Sequence, residues 1–286
     1  MKGIKVFAAL LALLLTASCS TTPTAEVGVM SFNMRYDRPD EGEINWSVRR
    51  GRIVKLIAQQ SPDIIGAQEL LHHQYKYMDS VLTDYCSVGV ARDDGREEGE
   101  YNPLFFKHER FEMLDSGTFW LSETPDEPGT LGWDGACKRI ATWAVLRERQ
   151  SGIELLAVNT HLDHVGEIAR HEGILLLSER IETLREGRAV VLTGDFNATP
   201  DSEPVGLLLA QGRLVHARDV ADSVGGPGWS FSDFGRLPED ERTFIDYIFI
   251  GGCRAISHER LPDTVDGGLV SDHAPVLARV QLGMRN

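Results

Sequence analysis

Eight short apolar stretches recur along the chain, at residues 27–34, 63–69, 103–107, 140–146, 153–162, 189–197, 245–250 and 275–282. Each is continuous or alternating in apolar residues and stops at Gly, Pro, Asp or Asn, as buried or half-buried β-strands do. Two segments carry clear helical spacing. In residues 47–60, Ile53, Leu56 and Ile57 share one face and Ser47 is the candidate N-cap. Residues 165–186 keep the same period, and Gly187 ends them. Strands outnumber helices, and most connections are too short for repeated βαβ crossovers. The pattern predicts an α/β fold, a four-layer sandwich in which two mainly antiparallel β-sheets pack face to face and are flanked by helices. No repeat, low-complexity tract or linker divides residues 27–286, which read as one domain with a large core.

One further apolar run, residues 6–18, is of another kind. It follows Lys2 and Lys5 and ends in small residues just before Cys19. It is too short for a comfortable membrane span, and its order is that of a secretory signal segment, residues 1–18. A cysteine at that place resembles a bacterial lipoprotein processing site, although Thr16 stands where the motif favours leucine. The expectation is a lipid-bearing Cys19, a polar tether over residues 20–26 and a membrane-anchored location in the bacterial cell envelope, with plain secretion as the alternative.

Charge narrows the partners. The chain carries a net charge of −14, and loss of residues 1–18 removes two lysines and no acids, leaving 27 basic against 43 acidic residues, or −16. Phosphate-coating proteins need basic surface, so a general nucleic-acid binder is disfavoured, while local cleavage of one phosphate is not. Beyond Cys19 the cysteines are Cys86, Cys137 and Cys253, an odd number without CxxC spacing. At most one disulfide is expected, and a thiolate metal site is disfavoured.

The chemistry gathers where the strands end. The stretch AVVLTGDFNATPDSEP at residues 189–204 runs an apolar strand straight into Asp195 and Asn197, which alternation places on one side of the backbone before Pro200 and Asp201 open a loop. Similar polar ends occur at Asn33, Glu69, His161, Asp246 and the pair Asp272–His273. Any one of them is explained as a turn former or cap. Six strand-end positions drawn only from Asn, Asp, Glu and His are not.

The ordered set SFN, QE, NTHL, GDFN, IDYI and SDH resembles the signature of the endonuclease/exonuclease/phosphatase superfamily, over about residues 27–283. The resemblance implies the four-layer sandwich already read from the pattern, and Mg²⁺- or Mn²⁺-dependent hydrolysis of a phosphate ester. It implies Glu69 as the principal metal ligand, with Asn33 and Asp272 nearby; such hard oxygen donors suit Mg²⁺. Asp195 would be the base for the attacking water, held by Asn197. His273, oriented by Asp246, would donate to a phosphate oxygen, and His161 would face the scissile phosphate and help the leaving group depart. Asn33 and Asp246 also have a purely structural reading.

Arg35 stands where abasic-site endonucleases of that superfamily carry Asp; it is a candidate phosphate clamp or a rim ion pair. Residues 115–143 look like an insertion known from secreted bacterial members, with Trp120, Trp133 and Arg139 as candidates for a pocket wall and an anion contact, or as aromatics covering a core edge. Residues 93–102 are expected as a loop over the site, bringing Glu100 and Asn102 near the metal. The expected partner is a small phosphate ester, such as a sugar phosphate or a lipid head group, acted on by a monomer outside the cytoplasm. A secreted nuclease acting on DNA or RNA is the alternative, and a non-catalytic binding module a second one.

Overall fold

The computed structural model describes residues 23–38 and 42–283. The expected signal segment, residues 1–18, and Cys19 lie outside them. In chain order the elements are β1 (Ala25–Asn33), α1 (Trp46–Gln60), β2 (Ile64–Gln68), α2 (His72–Val81), β3 (Tyr85–Val88), β4 (Leu104–Lys107) and β5 (Phe111–Trp120). There follow β6 (Ile140–Glu148), β7 (Glu154–His161), α3 (Glu167–Arg185), β8 (Ala189–Asp195), α4 (Glu203–Ala210), β9 (Val215–His216) and α5 (Ala217–Val220). The chain closes with β10 (Ser223–Gly225), β11 (Asp246–Gly251), β12 (Arg254–Arg260), the hairpin β13 (Thr264–Val265) and β14 (Gly268–Leu269), and β15 (Val276–Leu282).

Two sheets result, of order β10-β12-β15-β1-β2-β4-β3 and β5-β6-β7-β8-β11-β9. Pairing is antiparallel except for β1 with β2, β10 with β12 and β7 with β8. The sandwich has the predicted four layers. Alternation in β1 sends Val27 and Val29 into the core between the sheets and Met30 and Phe32 into a second core against Ile53, Leu56 and Ile57 of α1. Burial on both faces is why such strands read as nearly unbroken apolar runs. On the other side, Ile174, Leu177 and Ile181 of α3 join the core of the second sheet.

The sheets meet through polar atoms as well, directly beneath the strand ends. Asn159 Oδ1 accepts from Gln68 Nε2 at 2.6 Å and from Thr193 Oγ1 at 3.0 Å, while its amide donates to the Ala67 carbonyl at 2.7 Å. Gly66 makes room for this network: a Cβ there would lie 1.9 Å from Thr193 Oγ1. Satisfied buried polar groups fix how one sheet sits on the other, which a purely apolar interface would leave looser.

Several boundaries differ from the sequence reading. The first strand starts at Ala25, inside the predicted tether. Asn45, not Ser47, caps α1, its Oδ1 accepting from Ser47 N–H at 2.9 Å. The helices α2 and α4 and the strands β3, β5 and β12 were not expected. Edge strand β5 hides its period because a bulge between Met113 and Asp115 and an exposed middle break the alternation. Cys86, Cys137 and Cys253 are unpaired.

One buried cluster predicts acid sensitivity. His216 and His258 lie edge to face, ring centres 5.6 Å apart, among Phe244, Tyr247 and Phe249. Among the described residues, neither nitrogen of His258 has a hydrogen-bond partner, nor has His216 Nε2. Burial, with Arg218, pushes His216 down to about 4, and burial, with His216, pushes His258 down to about 3. Both fold as neutral rings, whereas in the unfolded chain they take up protons near pH 6.5. Their contribution is complete above pH 6.5 and is lost as pH falls from 6.5 to 4 for His216 and to 3 for His258, at about 1.4 kcal/mol per pH unit for each ring. The urea midpoint should drop across that window, and His258→Phe should flatten the drop; an unchanged slope in that variant would rule out His258 as its source.

Candidate active site

Strand register assembles the site. His161, Asp195 and Asp246 are direct neighbours across β7, β8 and β11. In the facing sheet Asn33 ends β1 beside Gln68 of β2, and Glu69 follows at once. His273 precedes β15 and bridges to Phe231. All these ends open on one side of the sandwich, so residues up to 240 positions apart in sequence share one cleft.

The backbone turns sharply there. Arg35, Glu69 and Asn197 all have left-handed φ angles, +59°, +66° and +46°. A left-handed residue that is not glycine needs support from its surroundings, and such positions gather at functional sites. The support is visible. Asn33 Oδ1 accepts from Arg35 N–H at 3.0 Å, Glu69 Oε2 from Tyr36 N–H at 3.1 Å and Asp195 Oδ1 from Asn197 N–H at 2.9 Å. Behind them, fully buried Arg49 donates to the carbonyls of Met34, Ile44 and Val270, and also to that of Arg35. Gln74 donates to the Arg35 carbonyl and accepts from Asp37 N–H.

Asn33 ties the two sheets together chemically. Its amide donates to Glu69 Oε1 and to Asp195 Oδ2, both at 2.9 Å. Expected as a metal-side residue, it uses both ends of its side chain to hold other groups. Asn197 donates to the Leu162 carbonyl and to His161 Nε2, each at 3.0 Å. His273 Nδ1 lies 2.8 Å from Asp246 Oδ2, and its Nε2 lies 3.7 Å from Asp195 Oδ2. Asp272 sits on the floor, 3.5 Å from Arg35 Nε; Arg35 Nη1 is 3.8 Å from Glu69 Oε2.

Environment sorts the titratable groups. Burial and then Asp246 push Asp195 up to about 7, against the pull of His273. Burial opposes charge on Glu69, but His273, Asn33, Arg35 and Tyr36 N–H outweigh it and hold the carboxylate below its usual range. Asp272 is pushed up by burial and by Glu69. Burial disfavours the His273 cation, yet Asp246 and Asp195 overcome it and hold the ring protonated. His161 goes the other way: burial, then Arg139 and Arg92, push it well below the usual histidine range. His161 is therefore neutral, its 3.5 Å approach to Asp195 is no ion pair, and with Nε2 accepting from Asn197 its proton resides on Nδ1. In that state it can donate a hydrogen bond, but it holds no spare proton for a leaving group.

The cleft has a volume of about 600 Å³. Glu69, Asp195, Asp272, His161, His273, Asn197 and Arg35 line it, and so does Arg139. Three expected contributors are elsewhere. Trp133, at a left-handed φ, lines a shallow groove with Leu175 and Leu176 of α3. Asn102 is buried, donating to the Ile140 carbonyl, and does not reach the cleft. Trp120 is buried too, its indole N–H holding the Arg92 carbonyl at 2.7 Å. The 93–102 loop does close over the site: Glu100 lines it, paired with Arg92 at 2.7 Å. Arg92, Tyr36, His164 and Phe231 were not singled out. Arg92 stands one residue before a flagged loop and His164 inside the quoted NTHLDH, but neither spacing nor alternation marks them.

Carboxylates dominate the floor. Among the described residues, donor atoms of Glu69, His161 and Asp195 come within 4.8 Å of one another. Asp272 is pushed up partly by Glu69, so a shared cation would relieve that repulsion. The hard oxygen donors of Glu69, Asp195 and Asp272 fit a divalent metal of the Mg²⁺ or Mn²⁺ type. A second donor group, Cys137, Asp163 and His164, is committed otherwise: Asp163 accepts from the N–H groups of Cys137, Val165 and Gly166.

Comparison with known proteins agrees with this geometry. The sequence pattern of the Endonuclease/Exonuclease/phosphatase family matches residues 30–273. The structure of an endonuclease/exonuclease/phosphatase from Bacteroides vulgatus is 41% identical, with TM-score 0.88, covering 90% of this chain and 99% of that one. A mannosyl-6-phosphatase from Bacteroides thetaiotaomicron is 30% identical with TM-score 0.83, covering 89% and 99%. An uncharacterized protein of Acanthamoeba polyphaga mimivirus is 28% identical over 81% of this chain and 91% of its own length.

Proposed function

The chain belongs to the endonuclease/exonuclease/phosphatase family of divalent-metal phosphoesterases, and on that premise we propose that it is a Mg²⁺-dependent hydrolase of a small phosphate ester, a phosphorylated sugar first of all, acting outside the cytoplasm. The observation that carries the reading is the row formed by Glu69, Asn33 and Asp195 beside the His273–Asp246 pair, at the floor of a 600 Å³ cleft. That volume suits one small ligand. The acidic net charge and a 30% identical sugar phosphatase support the same choice over a nuclease. The apolar segment before Cys19 supports export and a lipid anchor.

Glu69 and Asp272 would hold the metal, which when bound supplies charge neutralisation for the phosphoryl oxygens. Asp195, locked by Asn33 and Asn197, accepts a proton from water as the water oxygen bonds to phosphorus. The ester P–O bond breaks, and the departing oxygen takes its proton from solvent at the cleft mouth. Cationic His273, held by Asp246, donates to a non-bridging oxygen whose charge grows in the transition state. Neutral His161 accepts from Asn197 at Nε2 and so orients that side chain rather than protonating the leaving group.

The test is release of inorganic phosphate from mannose 6-phosphate and of nitrophenol from p-nitrophenyl phosphate, with Mg²⁺ and with chelator. Mg²⁺-dependent turnover that the chelator abolishes is expected. No turnover beside efficient, salt-sensitive cleavage of duplex DNA would replace this reading with the nuclease one. For the anchor, mass spectrometry of the native N-terminus should find diacylglyceryl-Cys19; an unmodified chain starting elsewhere would refute it.

A further inference from the structure

The cleft carries both signs of charge. Its lining joins the carboxylates Glu69, Asp195 and Asp272 to His273 and to two arginines, Arg139 and Arg92. Arg139 is only 6% exposed yet lines the cleft. Its backbone is fixed at the start of β6, where its carbonyl accepts from Leu121 N–H at 2.8 Å. Its Nη2 lies 3.1 Å from His164 Nδ1, while Nε and Nη1 have no hydrogen-bond partner among the described residues. Asp163 Oδ2 is 3.6 Å from Nε, beyond hydrogen-bonding range, and both Asp163 oxygens already accept backbone N–H groups. A guanidinium has five N–H donors, and leaving several unmet in a buried place is costly. Arg92 is held by Glu100 and, through its carbonyl, by Trp120.

We propose that Arg139 selects phosphate monoesters over diesters, by donating to the third non-bridging oxygen that only a monoester has. The inference rests on reading the cleft as a phosphoesterase site. A monoester dianion presents three charged oxygens. With a cation held by Glu69 and Asp272, the floor and His273 would meet two of them, and the third would meet the guanidinium of Arg139, whose planar fork of donors matches it. In a diester that position is an ester oxygen without charge, bearing a second substituent pressed against a buried cation. Arg139 thus favours the one substrate and opposes the other.

The experiment compares kcat/KM for p-nitrophenyl phosphate and bis-p-nitrophenyl phosphate in wild type, Arg139→Gln and Arg139→Lys, with Mg²⁺ and with thermal midpoints as the folding control. Wild type should prefer the monoester. Arg139→Gln should lower the monoester-to-diester ratio by about 10²-fold, the usual size for loss of one transition-state donor, and Arg139→Lys should fall between. A wild type that prefers the diester, an equal loss on both substrates, or an unchanged ratio would each overturn the proposal. If Arg139→Gln does not fold, the Lys variant decides by the same ratio. If wild type turns over neither substrate, the phosphoesterase reading fails. Arg139 is then judged by calorimetric binding of inorganic phosphate: at least tenfold weaker in Arg139→Gln if it is the anion contact, equal if it is not.

Discussion

Asp195→Asn should lower turnover by about 10³-fold while leaving a folded protein, within the range seen when a positioned base is lost. The carboxylate is buried between Asn33 and the Asn197 backbone, and burial with Asp246 pushes it up to about 7, near the pH at which a base works best. An amide of the same shape keeps the bond from Asn197 N–H but cannot take a proton from water. It turns an NH₂ toward Asn33 Nδ2, a donor against a donor, which costs about 1 kcal/mol. Removing one of two crowded carboxylates offsets part of that. Circular dichroism and a thermal midpoint within a few degrees of wild type establish the fold. A variant as active as wild type would remove Asp195 from the role of base.

Arg49→Leu should cost at least about 4 kcal/mol of stability, which for a chain of this size lowers the thermal midpoint by about 10 °C or more. Arg49 is fully buried and joins the segments that follow β1 and precede α1 and β15. It donates to the carbonyls of Ile44 at 2.6 Å, Val270 at 2.8 Å, Met34 at 2.9 Å and Arg35 at 3.2 Å. Leucine leaves the buried Met34 and Val270 carbonyls and the partly buried Ile44 carbonyl without this donor, each buried one worth about 1–3 kcal/mol when left unsatisfied, while the Arg35 carbonyl keeps Gln74. Because two of them flank the turn that aims Arg35 and positions Tyr36 N–H on Glu69, kcat/KM should fall before the protein unfolds. A loss under 1 kcal/mol by urea titration would mean that the carbonyls find other donors.

Arg49 and Asp195 stand at opposite ends of what a sequence discloses. Asp195 follows an apolar strand and precedes a proline-containing loop, so its exposure at a strand end is a local fact, carried by period and punctuation. Arg49 lies in a helix whose apolar face is legible, yet nothing in RRGRIV marks one arginine as buried among carbonyls. The same holds for His216 and His258, whose burial comes from three elements meeting. Asn102 and Trp133 show the converse. Their residue types suit a binding site, but Asn102 is taken up by the Ile140 carbonyl and Trp133 by a groove on α3.

The sequence by itself determined eight of the strands, their layering and the polar residues at their ends, because alternation, burial and turn chemistry act over a few neighbouring residues. It also determined the order of motifs that gave the family. Tertiary structure alone decided that His161, Asp195 and Asp246 share one row, since register is set by whole-strand packing and the network around Gly66. It decided which histidine is charged, because His273 faces two carboxylates and His161 two arginines, from elements far apart in the chain. It also placed Arg139 in the same cleft as the carboxylates, since the charge lining a cleft depends on which loops fold across it and not on spacing along the chain.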